Sequence, residues 1–386
     1  MKASDRIYLD HAATTPVHPE VREAMLPYLE EHFGNPSSIH QFGRTVRAAI
    51  DGARDNIAAA LNCDSRNIIF TSGGTEADNT ALVGVATANK DQGKHIVTTA
   101  IEHQAVFEAC EFLRSVGFNV TYVPVDKTGM VDVKDVAAAI TDETILISVM
   151  FANNEVGTVQ PIADISVIAR EHGILFHSDA VQALGAIPID ISQSPIDLMT
   201  VSSHKINGPK GTGALYVGPR VRFTPRQFGG SQERKQRPGT ENVPGIVGFG
   251  KAAVIATAEM ARKQQAFLDM RQAMIDVWRQ SGIEFVVNGH PTTFLPHILN
   301  VSFIGVDTET MLMNLDLAGI ACASGSACTA GSLETSHVLQ AMQLPQEVTA
   351  SAVRFSFGLG NTVDEVTEAA EKTVDIVKRL RRDRRH

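Results

Sequence analysis

The stretch that decides the fold is Leu198-Met-Thr-Val-Ser-Ser-His-Lys-Ile-Asn-Gly-Pro-Lys-Gly-Thr-Gly213. It opens with the apolar run Leu198 to Val201, and its glycines and proline stop a strand soon after Lys205. This pattern predicts a buried strand whose end presents a lysine to a site. An amine desolvated at such a site loses proton affinity and can act as a nucleophile that forms a Schiff base. Taken alone, the stretch also fits a solvated loop lysine.

The composition limits the classes to which the chain can belong. Its 386 residues exceed the size at which one hydrophobic core stops growing, so a large domain with a smaller one is expected. The formal net charge of -9 argues against a surface that binds nucleic acid directly. Four cysteines are too few for a disulfide framework, and no CxxC or HxxxH pair indicates a metal. The sequence shows neither an apolar signal core nor about 18 uninterrupted apolar residues, which predicts a cytoplasmic protein without a membrane span.

Short β-branched runs alternate with helical periodicity along most of the chain. This alternation predicts a mainly parallel sheet with helices on both faces, and ligands of such sheets bind at the carboxyl ends of the strands. A long helix from about Gly245 to Ser281 leads to a smaller unit, whose last helix begins at the capping box Thr362-Val-Asp-Glu365. The strands predicted in the sheet are Asn67–Thr71, His95–Thr99, Val120–Val123, Ile145–Met150, Ile174–His177 and Leu198–Val201.

Residues with useful chemistry follow several predicted strands. The turn Ser72-Gly-Gly-Thr-Glu76 offers backbone amides and a helix start to an anion such as phosphate, although a Gly-Gly turn is often only a turn. Asp179 could keep a pyridine nitrogen protonated or cap the next helix. His103 could stack on a flat ring or cap a helix. Arg354 could hold a substrate carboxylate through two parallel hydrogen bonds, with a surface ion pair as the alternative.

One cysteine differs from the others in its surroundings. Cys328 lies in Ala323-Ser-Gly-Ser-Ala-Cys-Thr-Ala-Gly-Ser332, where small residues predict a mobile, exposed loop. A cysteine on such a loop is a candidate nucleophile. Cys63 and Cys110 lie in helical patterns and are interpreted as small hydrophobic residues, and Cys322 as a buried strand residue.

A set of motifs in one order carries a resemblance to a known family. The motifs are Gly34-Asn-Pro-Ser-Ser38, Asn153-Asn-Glu-Val-Gly157, Ser178-Asp-Ala-Val-Gln182, Ser202-Ser-His-Lys-Ile-Asn-Gly-Pro-Lys-Gly-Thr-Gly213 and Ser324-Gly-Ser-Ala-Cys328. Together they resemble the NifS/IscS class of cysteine desulfurases, over residues 8 to about 358. The resemblance implies an α/β, fold-type I, pyridoxal 5'-phosphate-dependent transferase. It further implies a large domain (15–258) with a mixed, mainly parallel seven-stranded sheet, plus a smaller α+β domain (1–14 and 259–386) that carries the cysteine loop.

The resemblance also implies a role for each residue that binds the cofactor. Lys205 would hold the cofactor covalently and move the α-proton of the substrate, while Asp179 would pair with the pyridine nitrogen. Gln182 would bond the phenolic oxygen, and His103 would stack on the ring and assist proton transfer. The residues implied to hold the cofactor phosphate are Gly74, Thr75, Ser202, His204 and, from the second subunit of a homodimer, Thr240.

The reaction that the resemblance implies is the removal of sulfur from L-cysteine. Asn154 and Arg354 would bind the carboxylate of the substrate. The thiolate of Cys328 would attack the substrate sulfur, which leaves a persulfide and releases L-alanine. The sulfur would pass to an acceptor protein for iron-sulfur cluster assembly or tRNA thiolation, without direct binding of nucleic acid. A selenocysteine lyase, an aminotransferase and a non-catalytic sulfur-transfer scaffold are the alternatives.

The chain departs from the pattern of the family near the expected dimer interface. It has Gly229-Gly-Ser-Gln-Glu-Arg-Lys235 where the family often has Gly-Gly-Gly-Gln-Glu-Arg-Gly. Pro238 then occupies a position where serine or alanine is usual. The basic run from Lys378 to His386 is interpreted as a solvated helix end or a docking segment for an acidic partner.

Overall fold

The structure is a computed structural model that describes residues 6–325 and 335–383. The strands are β1 (Ile7–Tyr8), β2 (Ile68–Thr71), β3 (His95–Thr99), β4 (Asn119–Val123), β5 (Thr144–Ser148), β6 (Leu175–Asp179), β7 (Leu198–Ser202), β8 (Gly213–Val217), β9 (Val286–Asn288), β10 (Ile298–Ser302), β11 (Ile320–Ala321) and β12 (Ala352–Ser356). The helices are α1 (Pro19–Met25), α2 (Pro27–Glu30), α3 (Gln41–Leu61), α4 (Gly74–Asn79), α5 (Val85–Asn89), α6 (Gln104–Ser115), α7 (Val133–Ala138), α8 (Ile162–Glu171), α9 (Val243–Ser281), α10 (Thr308–Leu317), α11 (His337–Ala341), α12 (Gln346–Thr349) and α13 (Val363–Asp383). One π-helical stretch, Thr80–Gly84, joins α4 to α5.

Seven strands form the main sheet, in the order β2-β8-β7-β6-β5-β3-β4. Neighbours pair in parallel except at β8, which runs antiparallel to both β2 and β7. The predicted mixed, mainly parallel sheet is therefore confirmed. The strand predicted at His95–Thr99 is confirmed at both of its ends, and the other predicted strands differ from the observed bounds by one or two residues.

Both faces of this sheet are covered. Alternate residues of a strand point to opposite faces, so Leu146 and Ile147 of β5 enter different hydrophobic clusters, as do Leu198 and Met199 of β7. All four side chains are fully buried. Each such burial contributes about 1.5–3 kcal/mol relative to exposure. The near-continuous apolar runs in the sequence follow from this double burial.

The sequence did not predict strand β8. The glycines before it were interpreted only as breakers, yet Gly213 opens the strand. A Cβ atom at Gly213 would lie 2.7 Å from the carbonyl carbon of Gly73, so only glycine allows this approach of β8 to the turn after β2. The interpretation of Cys322 as a buried strand residue is also wrong, because it lies one residue beyond β11 and is half-buried.

A second hydrophobic core surrounds the antiparallel sheet β12-β10-β9. Trp278 of α9 is fully buried there, with ring centroids 5.2 Å from Phe303 and 5.6 Å from Phe355. Ile7 and Leu9 join the same core, since β1 pairs with β11. The smaller α+β unit thus includes the start of the described chain. The bounds at 14/15 and 258/259 stay a prediction.

Helix α9 links the two cores. By length and composition it contains one window apolar enough to cross a membrane, with a mean hydropathy of 1.3, although no uninterrupted apolar run marks it in the sequence. Half of that window is buried inside the protein. The helix packs along α3 and α13, as a core helix does.

Candidate active site

A cavity of about 560 Å³ lies at the carboxyl ends of the central strands. It is bounded by the end of β6, the end of β7 and the turn between β2 and α4, where ligands of such sheets bind. Ten of the twelve predicted site residues line it: Gly74, Thr75, His103, Asn154, Asp179, Gln182, Ser202, His204, Lys205 and Arg354. The other two are Thr240, which is exposed and does not line this cavity, and Cys328, which lies outside the described residues.

Lys205 follows β7 and lies within the cavity rather than on the outer surface. Its Nζ donates hydrogen bonds to the carbonyl oxygens of Ala12, at 2.6 Å, and Ala13, at 2.8 Å. Burial, and then the charge of Arg354, lower the pKa of Lys205 to about 8. Roughly a tenth of such amines are neutral at pH 7, far more than for an ordinary lysine. This neutral fraction suits a nucleophile.

Asp179 and His103 line the same cavity, and each also makes the capping hydrogen bond that was its alternative interpretation. Oδ1 of Asp179 accepts the backbone N–H of Val181 at 2.9 Å, and Nδ1 of His103 accepts the backbone N–H of Ala105 at 3.1 Å. Asp179 is buried, whereas the ring of His103 is exposed to the cavity. Capping fixes the orientation of both side chains and leaves each with a free atom for a ligand.

The end of the cavity next to the β2–α4 turn is suited to an anion. Helix α4 begins at Gly74, and the first amides of a helix have no partner within it. The buried hydroxyl of Ser202 has no hydrogen-bond partner among the described residues. His204, whose ring lies 3.1 Å from the Thr14 hydroxyl, has its pKa lowered to about 4, mainly by burial. These groups lie together with Glu76, whose carboxylate accepts the backbone N–H of Ser72. The helix start and the free hydroxyl are the donors that suit a phosphate.

Arg354 of β12 reaches the cavity from the smaller unit. Its guanidinium donates to Oδ1 of Asp10 at 2.8 Å and to the carbonyl oxygen of Asn154 at 2.9 Å. Its Nε is buried and has no partner in the described part of the chain. The ion pair is therefore a largely buried one inside the cavity, and one edge of the guanidinium still has donors for a carboxylate.

Several cavity residues were not predicted from the sequence. Asp10, Ala12 and Ala13 follow β1, which belongs to the other core, and nothing in their spacing connects them with β6 or β7. Gln182 donates to the carbonyl oxygen of Ala12 at 2.9 Å, so this segment positions two predicted residues. Asp78 was also missed because it lies inside α4, although a carboxylate in an apolar helical face could have revealed it.

The thiols of the described part differ from an activated cysteine. Burial, as the main cause, raises the pKa of Cys63 and of Cys110 to about 12. Cys322 lines the cavity, but burial and then the charge of Asp10 raise its pKa far above the usual value. A protonated thiol is a weak nucleophile, so none of the three replaces Cys328 as the candidate.

Comparison with known proteins agrees with this geometry. The family model described as "Aminotransferase class-V" matches residues 7–368. The chain is 53% identical over 377 residues to the putative cysteine desulfurase IscS 1 of Bacillus subtilis (strain 168), covering 97% of this chain and 100% of that protein. It is 50% identical to the cysteine desulfurase IscS of Methanosarcina thermophila, covering 97% and 93%. The chain belongs to the class-V aminotransferases, among the IscS/NifS-type cysteine desulfurases.

A solved structure of this family has the same fold. A protein described as NifS-like superposes with a TM-score of 0.91 at 35% identity, over 97% of this chain and 99% of that one. The predicted fold-type I architecture is thus confirmed. Class-V aminotransferases use pyridoxal phosphate. The cavity fits that group, since it offers an amine of lowered pKa, a buried carboxylate and an unpartnered buried hydroxyl beside free helix amides.

Proposed function

We propose that the protein is a pyridoxal 5'-phosphate-dependent cysteine desulfurase that takes sulfur from L-cysteine, forms a persulfide on Cys328 and releases L-alanine. The observation that carries this proposal is the convergence of Lys205, Asp179 and Arg354 in one cavity. These three groups suit an aldehyde, a pyridine nitrogen and a carboxylate, respectively. The high identity to named cysteine desulfurases over nearly the whole chain supports the same function.

Each part of the cofactor has a matching residue in this proposal. Lys205 binds the aldehyde carbon, Asp179 pairs with the ring nitrogen, His103 covers the ring and Gln182 bonds the phenolic oxygen. Gly74, Thr75, Ser202 and His204 hold the phosphate. When bound, pyridoxal phosphate acts as an electron sink for bonds broken at the substrate carbons.

Arg354 and Asn154 bind the carboxylate of L-cysteine, which places the α-carbon beside Lys205. The neutral amine then removes the α-proton. The thiolate of Cys328 forms a bond to the substrate sulfur while the carbon–sulfur bond breaks. The electron pair of the broken bond remains with the three-carbon product, where the β-carbon takes up a proton. Lys205 returns the α-proton to the α-carbon, which gives L-alanine.

The described chain before Cys328 ends at the wall of the cavity. Ala323, Ser324 and Gly325 line the cavity, and Cys328 comes three residues later. Three residues of chain span at most about 11 Å. Beyond the undescribed stretch, Nε2 of His337 contacts the carbonyl oxygen of Glu102 at 2.9 Å, next to His103. Both flanks of the cysteine segment therefore lie beside the proposed site.

Substitution of Cys328 tests the reaction. Cys328→Ala should keep the visible absorbance of bound cofactor but lose release of sulfide and alanine from L-cysteine in the presence of a thiol reductant. Cys63→Ala is the matched control, since Cys63 lies outside the cavity and has a raised pKa, and it should release sulfide normally. Normal sulfide release by Cys328→Ala would disprove the persulfide step. A requirement for a keto acid would indicate an aminotransferase instead.

The active form in this proposal is a homodimer in which Thr240 completes the phosphate site of the other subunit. A surface cavity of about 350 Å³ opens beside Gly74, Thr75, Ser202 and His204. Thr240 is exposed, as a residue that reaches another chain must be before assembly.

Mixed dimers test this arrangement. In a dimer of one Lys205→Ala chain and one Thr240→Ala chain, one site keeps both Lys205 and Thr240, and the other site loses both. This mixed dimer should bind cofactor at one site with wild-type affinity, whereas a Thr240→Ala homodimer should bind it weakly at both. Weak binding at the remaining site of the mixed dimer would show that Thr240 acts within its own subunit.

We also propose that the persulfide sulfur passes to a cytoplasmic acceptor protein, an iron-sulfur scaffold or a tRNA thiolase. The acidic balance of the chain supports a protein acceptor rather than direct contact with RNA. Loading with sulfur-labelled cysteine, followed by isolation of labelled acceptor proteins, would identify the partner. Label found only as free sulfide would contradict the proposal.

A further inference from the structure

A second carboxylate lies beside the one that faces the pyridine nitrogen. Asp78 of α4 is 1% exposed, and its Oδ1 has no hydrogen-bond partner within the described part of the chain. One oxygen of Asp78, one of Asp179 and a ring nitrogen of His103 lie within 4.8 Å of one another. Asp78 also lines the cavity. The proposed reaction gives it no role.

A row of polar side chains leads across the sheet to this carboxylate. Ser148 of β5 lies 2.8 Å from Nδ1 of His177, and Nε2 of His177 lies 3.1 Å from the hydroxyl of Thr200. The same Nε2 is 3.6 Å from Oδ1 of Asp78. Burial lowers the pKa of His177 to about 3, so this ring is neutral and supplies no charge to balance Asp78.

Two carboxylates this close in a buried site cannot both ionise, because their mutual repulsion and desolvation favour retention of one proton. Their surroundings decide which one retains it. Burial raises the pKa of both carboxyls. Asp179 accepts a backbone N–H and is near His103 and the positive charge of Lys205, whereas Asp78 has only the Thr200 hydroxyl as a donor and its Oδ1 receives none. Burial and the charge of Asp179 raise the pKa of Asp78, and the nearby charge of Glu102 adds to the shift.

We propose that Asp78 is a positioning residue that stays protonated and thereby keeps Asp179 anionic for the ring nitrogen of the cofactor. This inference rests on the proposed function for the identity of that ligand. It adds that Asp78 and Asp179 hold a single proton between them and that Asp78 carries this proton. Thr200, which also lies next to His177 in the row of polar side chains, hydrogen-bonds Asp78 and thereby positions it in the network.

Titratable groups near Asp78 come from two segments, and they differ in the pH at which they ionise. On β6 they are Asp179 and His177, and on the segment before α6 they are Glu102 and His103. His177 stays neutral over the working range, and Glu102 has its pKa raised to about 8 by burial. Comparison of wild type with an Asp78 variant cancels distant shared groups and leaves the titration of the Asp78–Asp179 pair.

The first test is the pH dependence of stability of the cofactor-free full chain. A carboxyl whose pKa is raised on folding contributes stability at low pH that is lost as the pH rises through the folded value. Asp78→Asn has a neutral side chain of the same shape at every pH. The melting temperature of wild type should therefore fall relative to that of Asp78→Asn as the pH rises from about 5 to about 9. Parallel curves would overturn the proposal, since a purely structural side chain would not change this difference.

The second test is cofactor affinity. Asp78→Asn keeps a neutral polar group beside Asp179 and should bind pyridoxal phosphate within about threefold of wild type. Asp78→Leu cannot hydrogen-bond and should bind at least about tenfold more weakly. Equal weakening in both variants would mean that a charged Asp78 is required, which overturns the proposal. If wild type itself does not bind pyridoxal phosphate, the proposed function fails, while the stability curves still decide whether the Asp78–Asp179 pair retains a proton.

Discussion

Arg354 and Asp10 form an ion pair inside the cavity, with 2.8 Å between Nη2 and Oδ1. Both side chains line the same space as Lys205. Burial and then the positive charge of Arg354 lower the pKa of Lys205, whereas the negative charge of Asp10 raises it. The pair thus connects the proposed carboxylate site to the proposed nucleophilic amine. A substrate carboxylate at Arg354 must share the guanidinium with Asp10.

Arg354→Lys should impair binding of L-cysteine more than turnover. Lysine keeps the positive charge for Asp10 but lacks the planar pair of donors that holds a carboxylate. We expect KM to rise about tenfold or more and kcat to fall less. The ratio of kcat/KM for L-cysteine to kcat/KM for cysteamine, which lacks the carboxylate, should decrease. Steady-state assays of sulfide release with both compounds measure these changes.

The control is Arg271→Lys, another largely buried arginine that does not line the cavity. It should leave KM near the wild-type value. An unchanged KM in Arg354→Lys would show that Arg354 does not bind the substrate carboxylate.

Capture of pyridoxal phosphate by the cofactor-free protein should accelerate with pH up to about 8. The folded environment lowers the pKa of Lys205 to about 8, so the neutral amine increases about tenfold per pH unit below that value and is nearly constant above it. Stopped-flow absorbance at a series of pH values measures the rate. A surface control, Lys251→Met, removes a lysine paired with Glu20 and should not change the profile. A rate that continues to rise to about pH 10 would indicate an ordinary lysine.

Local patterns in the sequence were sufficient for much of the sheet and for the residues at its edge. Asp179, His103 and Lys205 follow apolar runs, and the rule that parallel strands end at one edge brings them together. The role of Gly213 was not predicted in this way. It was interpreted only as a residue that stops a strand, whereas it allows β8 to approach the backbone of Gly73. Such a contact depends on the packing of distant strands.

Two acidic residues show the same limit within the site. Asp10 comes from a segment that pairs with the smaller unit, and Asp78 is inside a helix whose other buried residues are apolar. No local spacing separates Asp10 from an ordinary surface carboxylate, and only its place on an apolar helical face distinguishes Asp78. Their burial is a consequence of tertiary packing, which a single sequence does not display.

Glu102→Gln should stabilise the protein at alkaline pH. Glu102 is fully buried, and its Oε1 accepts from the Thr99 hydroxyl at 2.6 Å and from the backbone N–H of Met150 at 3.0 Å. Burial is the main cause that raises its pKa to about 8. A raised folded value means that stability is lost as the pH rises through about 8. Glutamine can accept the same two hydrogen bonds without ionising.

The free energy of unfolding of Glu102→Gln relative to wild type should therefore increase by about 2–3 kcal/mol when the pH is raised from about 6 to about 9.5. Denaturant unfolding at the two pH values measures this gain. The control is Glu171→Gln at an exposed position, which should differ from wild type by the same small free energy of unfolding at both pH values. A gain that does not depend on pH would show that Glu102 ionises normally.

Lys235→Gly should stabilise the loop that departs from the family pattern. Glu233, Arg234 and Lys235 have consecutive positive φ angles of 43°, 59° and 68°. The carboxylate of Glu233 explains why the backbone keeps this shape, because it accepts two hydrogen bonds of 2.7 Å from the guanidinium of Arg54 and one of 3.0 Å from the backbone N–H of Phe70. Lys235 is exposed, so little packing offsets the steric cost that its positive φ imposes on the Cβ atom.

Glycine at position 235 would remove a steric cost of about 1–2 kcal/mol and add about 0.5–1 kcal/mol of unfolded-state entropy, so a net gain of up to about 1 kcal/mol is expected. Lys127→Gly is the control, since Lys127 is exposed and has no positive φ, and it should lose stability. Removal of the carboxylate in Glu233→Gln should cost about 3–5 kcal/mol, because it leaves the buried Arg54 uncompensated. Thermal melts of the three variants against wild type measure these effects. A destabilised Lys235→Gly would mean that the lysine side chain, and not the backbone conformation, decides the stability of this loop.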